Sequence, residues 1–389
     1  MLRRIAQEQD IDLTVFFGSD FSVRGYKDEG FGVGVKWDVP LLDGYKHVFL
    51  PRLRDGNRVG FAMPLNRGIL GALRNPALAG GQPAFDALWV HGYATVNALH
   101  GILAGNLLGI PVLLRAESWL RDRSRSNLKL RAKELFFSTL ASLVDAVLPI
   151  GTLNSEYWTH YFGASVPQFL MPYAVDNNYF AARAAAARDD HAELRTQLGL
   201  DPARPVILFA SKLQPRKHCD HLISAYAHLS PAPGVEPHPY LLIVGDGEER
   251  AALQTQAAET GFSSIRFLGF RNQSELPAFF SLASVFVLPS RHEPWGLIVN
   301  EVMNAATPCV VSDDVGCAPD LIENGRNGYI YPVGDVKGLA NALRHVLKSS
   351  LTGQSMGVNA LERIQSWSFE EDIRGLRAAL ESVVPGFVG

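Results

Sequence analysis

The sequence predicts an α/β fold of two doubly wound, Rossmann-like domains, and three observations predict it. Short apolar runs bounded by turns recur along the chain with helical patterns between them, which implies parallel sheets covered on both faces. The chain has 389 residues, a length that suits two domains better than one. A polar, Ala/Arg-rich passage from Ala181 to Arg195 separates two series of such runs and reads as a domain boundary.

The first series runs Asp12 to Phe17, Ala87 to Val90, Pro111 to Leu114 and Ala146 to Ile150. The second runs Pro205 to Ala210, Tyr240 to Val244, Ile265 to Leu268, Val285 to Leu288, Pro308 to Val311 and Gly328 to Tyr331. The expected domains are 1–180 and 190–369, followed by a final helix at 370–389. Apolar residues make up 47 % of the chain and charged residues 19 %, enough to fill two cores. A net charge of -3 gives no sign of a nucleic-acid partner. Cys219, Cys309 and Cys317 form neither a disulfide framework nor a zinc pattern, and so few point to a reducing compartment, the cytoplasm. The longest apolar stretch, Ala98 to Leu114, is broken by His100, Asn106 and Pro111 and does not read as a membrane span. The first residues lack the pattern of a signal peptide.

The N-terminus departs from the doubly wound pattern. Leu2 to Gln9 reads as the tail of a helix leading straight into a strand, so the usual first strand and its loop are expected to be missing. Met1 is then not expected to be the start of the complete enzyme, and restoring about 20 upstream residues should raise both stability and activity.

The strongest chemical signal is Glu293-Pro-Trp-Gly-Leu-Ile-Val-Asn-Glu301. It follows an apolar strand and a short polar turn, and Gly296 opens a helix. A helix start offers free N–H groups and a partial positive charge to a phosphate, and glycine lets the backbone approach it closely. Glu293 before the helix and Glu301 inside it can accept hydrogen bonds from hydroxyls on both sides of a diphosphate. A second signal is Ser211-Lys212-Leu-Gln-Pro-Arg-Lys217, a strand end followed by two lysines able to neutralise that diphosphate. Gly245-Asp-Gly247 and the Phe270-Arg271 segment stand at two further strand ends, and each is weak alone.

Together these residues resemble the retaining glycosyltransferases of the GT-B fold, family 4, most tightly from Pro205 to Val333. The resemblance implies two domains facing a cleft. It implies that Glu293 contacts the transferred sugar, that Glu301 holds the ribose hydroxyls, and that Trp295, Gly296, Leu297 and Gly245 belong to the donor site. The backbone around Phe270 and Arg271 would hold the base. Lys212 stands where the family carries arginine, so the charge is kept but bidentate phosphate binding is lost. Met171-Pro-Tyr-Ala-Val-Asp176 resembles the hinge-side Pro-Asn-Gly-Val-Asp, with Tyr-Ala in place of Asn-Gly, and the tail from Trp367 resembles the final helix that crosses back to the N-terminal domain. In the N-terminal half, Glu117 falls where many relatives carry a sugar-contacting histidine, and His91 stands at the preceding strand end. Both are candidates on the acceptor or sugar side.

These residues imply transfer of a sugar from a UDP- or GDP-type donor to a carbohydrate or lipid-linked acceptor, with no cofactor and no metal. Asp10-Ile-Asp12 and Asp313-Asp314 do not form the Asp-x-Asp metal motif at a strand end facing the cleft. Two alternatives stand beside this: a sugar-nucleotide epimerase of the same fold, and an N-terminally truncated, inactive binder. The stretch from Trp119 to Phe137 carries Arg121, Arg123, Arg125, Lys129, Arg131 and Lys133 among leucines. It reads either as a solvated helix or as a peripheral contact with an anionic membrane.

Overall fold

The computed structural model describes residues 1–27, 30, 32, 34–54, 60–74, 84–120, 127–229 and 238–388. The chain divides into two compact units. One comprises Met1–Tyr26, Pro40–Tyr173 and Phe369–Gly389, and the other Lys27–Val39 and Ala174–Ser368.

The N-terminal unit holds the strands β1 (Thr14–Phe17), β2 (Lys46–Phe49), β3 (Leu88–His91), β4 (Val112–Arg115) and β5 (Ala146–Val147). β1 and β2 pair in parallel as one small sheet, and β3-β4-β5 form a second parallel sheet. β2 was not legible in the sequence, because all four of its residues are exposed and no apolar run marks it. β5 is shorter than the expected Ala146 to Ile150, since Pro149 has no N–H to continue a ladder. Leu2–Ile5 makes a single helical turn, and Ile5 is buried with Leu113, Leu148 and Ile373. The helix Val96–Leu108 begins at Thr95, whose hydroxyl accepts the Ala98 N–H at 3.2 Å, and ends at Gly109.

The last helix, Phe369–Val383, belongs to this unit. It sits so close to the preceding chain that a Cβ on Gly375 would lie 1.9 Å from the Leu170 carbonyl oxygen. Arg377 fastens it to Asp10 at 2.7 Å and to Glu8 at 3.1 Å, and Asp372 pairs with Arg115 at 3.2 Å.

The C-terminal unit is built on β6 (Val206–Ala210), β7 (Tyr240–Val244), β8 (Ile265–Gly269), β9 (Val285–Leu288), β10 (Cys309–Ser312) and β11 (Gly328–Tyr331). They form one parallel sheet in the order β8-β7-β6-β9-β10-β11, the doubly wound order. Every residue of β6, β7, β9 and β10 is buried, as expected for strands with helices on both faces. One layer of the core joins Ile207, Phe209, Leu241 and Ile243 to Leu222, Tyr226, Leu339 and Leu343 of the covering helices. All three cysteines are free and buried. No helix among the described residues is long and apolar enough to cross a membrane.

Candidate active site

Because the six strands of the C-terminal sheet run parallel, the loops that leave them open at one edge. The strand order reverses between β6 and β9, and ligands of such sheets bind outside the carboxyl ends there. Three of these loops are stitched together backbone to backbone. Ser211 N–H donates to Val244 at 3.1 Å, Leu213 N–H to Asp246 at 2.9 Å, Glu249 N–H to Leu213 at 3.0 Å and Gly245 N–H to Gly269 at 2.8 Å. Gly245 has φ +132°, and a Cβ there would lie 1.9 Å from the Ser211 carbonyl oxygen. Only glycine meets both demands.

The Glu293 loop is built the same way. His292 adopts φ +52°, and its N–H donates to the Asp314 carboxylate at 3.0 Å. Glu293 N–H donates to the Asp314 carbonyl at 3.1 Å, and Arg291 N–H donates to the Arg216 carbonyl at 2.7 Å. These bonds bring the two strongest sequence motifs together. The Lys217 ammonium hydrogen-bonds the Glu293 carboxylate across 76 residues of chain, and Arg216 stands 3.5 Å from the same group. Both side chains of the pair are largely buried. Burial lowers the Lys217 pKa, Glu293 works against that, and Lys212 adds to the lowering through its charge. Lys212 therefore lies within electrostatic reach of the pair.

Gly296 caps the helix Leu297–Met303 at φ +93°. A Cβ there would crowd Leu288 at 3.0 Å and Val315 at 3.1 Å. Leu297 is exposed, whereas Trp295 is buried. The Trp295 indole donates to Asn300 at 3.0 Å and stacks on Trp367 at 5.6 Å. The indole is thus spent on fastening the loop, and the Trp295 carbonyl accepts the Cys317 N–H at 3.0 Å. Glu301 stands in the helix with its carboxylate free of hydrogen bonds and ion pairs among the described residues, and burial raises its pKa to about 8. At the β8 end, Arg271 pairs with Glu275 at 3.2 Å and lies over Phe279 at 5.9 Å. Phe270 is half-buried beside it.

The N-terminal unit gathers its own cluster at the carboxyl ends of β3 and β4. The Tyr173 hydroxyl donates to the Glu117 carboxylate and lies 3.3 Å from His91 Nε2, and the two rings stack at 6.5 Å. His91 and Glu117 stand 4.0 Å apart. Beneath them Arg115, fully buried, lies 4.7 Å under the Tyr173 ring and donates to the carbonyls of Met171 at 2.7 Å and Pro172 at 3.1 Å. Burial lowers the His91 pKa, Arg115 adds to this, and Glu117 opposes it. Sequence reasoning singled out His91 and Glu117 but missed Tyr173 and Arg115. The signal for Tyr173 was its replacement of asparagine in the Met171–Asp176 motif. The acidic pairs set aside as metal motifs are used structurally: Asp10 with Arg377, Asp12 with Lys46, Asp313 on the Val333 N–H and Asp314 on the His292 N–H. Of the basic stretch, Arg121, Arg123 and Arg125 and the side chain of Lys129 lie outside the described residues.

Residues 190–363 match the family glycosyl transferases group 1. The chain is 30 % identical over 198 residues to a D-inositol 3-phosphate glycosyltransferase of Nocardioides sp., covering 48 % of this chain and 43 % of that protein. It is 30 % identical over 243 residues to a GDP-mannose-dependent alpha-(1-6)-phosphatidylinositol monomannoside mannosyltransferase of Mycolicibacterium smegmatis, covering 60 % of this chain and 61 % of that protein. The chain thus spans less than two thirds of the length of these curated relatives. Anabaena Alr3699/HepE, solved in complex with UDP and glucose, superposes with a TM-score of 0.66 at 20 % identity over 87 % of each chain, which shows the shared GT-B fold.

Proposed function

We propose that this chain, whose residues 190–363 belong to the glycosyl transferases group 1, moves a sugar from a nucleoside diphosphate donor to an acceptor hydroxyl with retention at the anomeric carbon. The observation that carries this reading is the Lys217–Glu293 pair at the carboxyl ends of β6 and β9, with the unpartnered Glu301 carboxylate in the helix that follows. In this reading Glu301 accepts hydrogen bonds from the ribose hydroxyls, and Glu293 orients the sugar. The anomeric carbon–oxygen bond to the diphosphate breaks and a bond to the acceptor oxygen forms, while the acceptor proton passes to the departing diphosphate. Negative charge builds on that leaving group, and Lys212 and Lys217 stabilise it where a metal would otherwise be needed. The donor is of the UDP or GDP type. Two similar proteins support this: HepE was solved with UDP, and the mannosyltransferase is GDP-mannose-dependent. His91, Glu117 and Tyr173 form the acceptor side.

The names of the two relatives, an inositol phosphate and a phosphatidylinositol mannoside glycosyltransferase, favour an acceptor in polysaccharide or glycolipid synthesis. Exposed Leu130 and Leu135 on the helix Asn127–Ala141, beside Arg131, support a peripheral contact with an anionic membrane on its cytoplasmic side.

A panel of nucleotide sugars tests the reading. At about 100 times its dissociation constant a donor adds roughly 2.7 kcal/mol of stability. One donor class should raise the melting temperature, and Glu293→Gln should slow transfer by about 100-fold or more. If no nucleotide sugar stabilises the chain, or if Glu293→Gln turns over normally, the assignment is wrong.

A further inference from the structure

Just beyond Lys217 the chain turns sharply into the helix Cys219–Ala227, and its first turn carries three metal-competent side chains. His218 adopts φ +47°, which swings its imidazole back over the helix start, where it stacks on His221 with ring centroids 4.2 Å apart. Asp220 lies against both. Its Oδ1 is 3.7 Å from His218 Nδ1 and its Oδ2 is 3.7 Å from His221 Nε2. One ligand atom from each residue fits within a 4.8 Å span.

We propose that His218, Asp220 and His221 form a binding site for one borderline divalent cation of the Zn2+ type. One observation beyond the clustering points this way. His218 Nε2 and His221 Nδ1 are both buried without a hydrogen-bond partner. These far nitrogens can each carry the ring proton, which leaves His218 Nδ1 and His221 Nε2, the atoms beside Asp220, able to present a lone pair to a cation.

Two imidazoles and one carboxylate match the ligand chemistry of zinc and leave a fourth position open. Metal bonds of about 2.0–2.2 Å bring tetrahedral ligand atoms to within about 3.3 Å of one another. Each His–Asp separation must therefore shrink by a few tenths of an ångström, and the stacked rings must tilt. All three ligands stand within one turn, so little chain entropy is lost on closure. Around them, Arg291 opposes the cation, and the Tyr331 hydroxyl, buried and without a partner, lies within reach of the Asp220 charge. None of these three ligands is used in the sugar-transfer reading.

The test is calorimetric titration of the full, tag-free chain with ZnCl2, together with the visible spectrum of the Co2+ form. The expected result is one Zn2+ per chain and cobalt bands of a four-coordinate site. His221→Ala and His218→Asn should each weaken binding by about tenfold or more, the lower bound seen even for groups behind the ligands. Asparagine is chosen at 218 because it tolerates the left-handed backbone, so that variant carries the test if His221→Ala does not fold. Replacing the exposed His345 by alanine should change nothing. Absence of Zn2+ binding, or equal binding by wild type, His221→Ala and His218→Asn, would overturn the proposal.

Discussion

The carboxyl ends of the strands are built differently in the two units. In the C-terminal unit the loops are held by backbone groups: Ser211, Leu213, Gly245 and Glu249 exchange main-chain hydrogen bonds, and glycine at 245 and 247 lets carbonyls approach where any Cβ would collide. In the N-terminal unit the corresponding cluster is held by side chains, with Arg115 buried under Tyr173 and tied to Asp372 of the last helix. A backbone-built site leaves a local sequence signature, because it demands glycine at fixed places. A side-chain-built site draws on residues far apart in the chain. Arg115 and Asp372 are separated by 257 residues.

The largest effect expected from this contrast is at Gly245. Gly245→Ala places a Cβ 1.9 Å from a carbonyl oxygen at φ +132°, so the loops must separate, at a cost of about 3 kcal/mol or more. Urea unfolding measures this, with Gly71→Ala, which meets nothing within 4 Å, as the reference. A Gly245→Ala chain as stable as the reference would show that the stitching carries no weight.

The next effect lies in pH. Burial raises the Asp372 carboxyl to about 7, with Arg115 opposing it, and raises Glu301 to about 8. In both cases the native state keeps a proton that the unfolded chain has released. Stability is therefore fullest below the ordinary carboxylate range and falls as pH rises, ending near 7 for Asp372 and near 8 for Glu301. Melting temperature should decline across that window, and Glu301→Gln should remove the part that extends from 7 to 8. A profile unchanged by that substitution would place Glu301 in water.

Tyr173→Phe is a milder break on the side-chain-built cluster. It removes the hydroxyl that donates to Glu117 and leaves the ring over Arg115. A charge-assisted hydrogen bond is worth about 1.5–3 kcal/mol, so turnover should fall by roughly 10- to 100-fold, with donor binding unchanged. A loss of donor affinity instead would move Tyr173 to the donor side. The smallest effect concerns the helix Asn127–Ala141. Sedimentation with anionic vesicles at low salt should pull down the chain, and Leu135→Ser should reduce the bound fraction only modestly. Absence of binding at low salt removes the membrane from the account.

The same contrast explains what could be read from the sequence. The six strands of the C-terminal sheet were legible to within a residue or so at each end, since four are fully buried apolar runs and the half-buried β8 and β11 still stand between turns. The pairing of Lys217 with Glu293 was not read, although both residues were singled out, because nothing local joins two motifs 76 residues apart. β2 was missed for want of an apolar pattern, and the commitment of the Trp295 indole to Asn300 and Trp367 was hidden because an indole beside a glycine reads equally as ligand contact or as core. The His218–Asp220–His221 turn went unread as well, since its spacing matches no metal motif and its stacking depends on a left-handed backbone at residue 218.

The central claim is that the C-terminal unit holds a nucleoside diphosphate through Glu301. The direct measurement is the affinity of UDP and of GDP, by calorimetry at pH 8.5, for the wild-type chain and for Glu301→Ala. The account predicts that one of the two nucleotides binds the wild type and that the variant loses about tenfold or more, as expected when hydroxyls lose a charged partner. Equal affinity of wild type and a folded Glu301→Ala variant would contradict it.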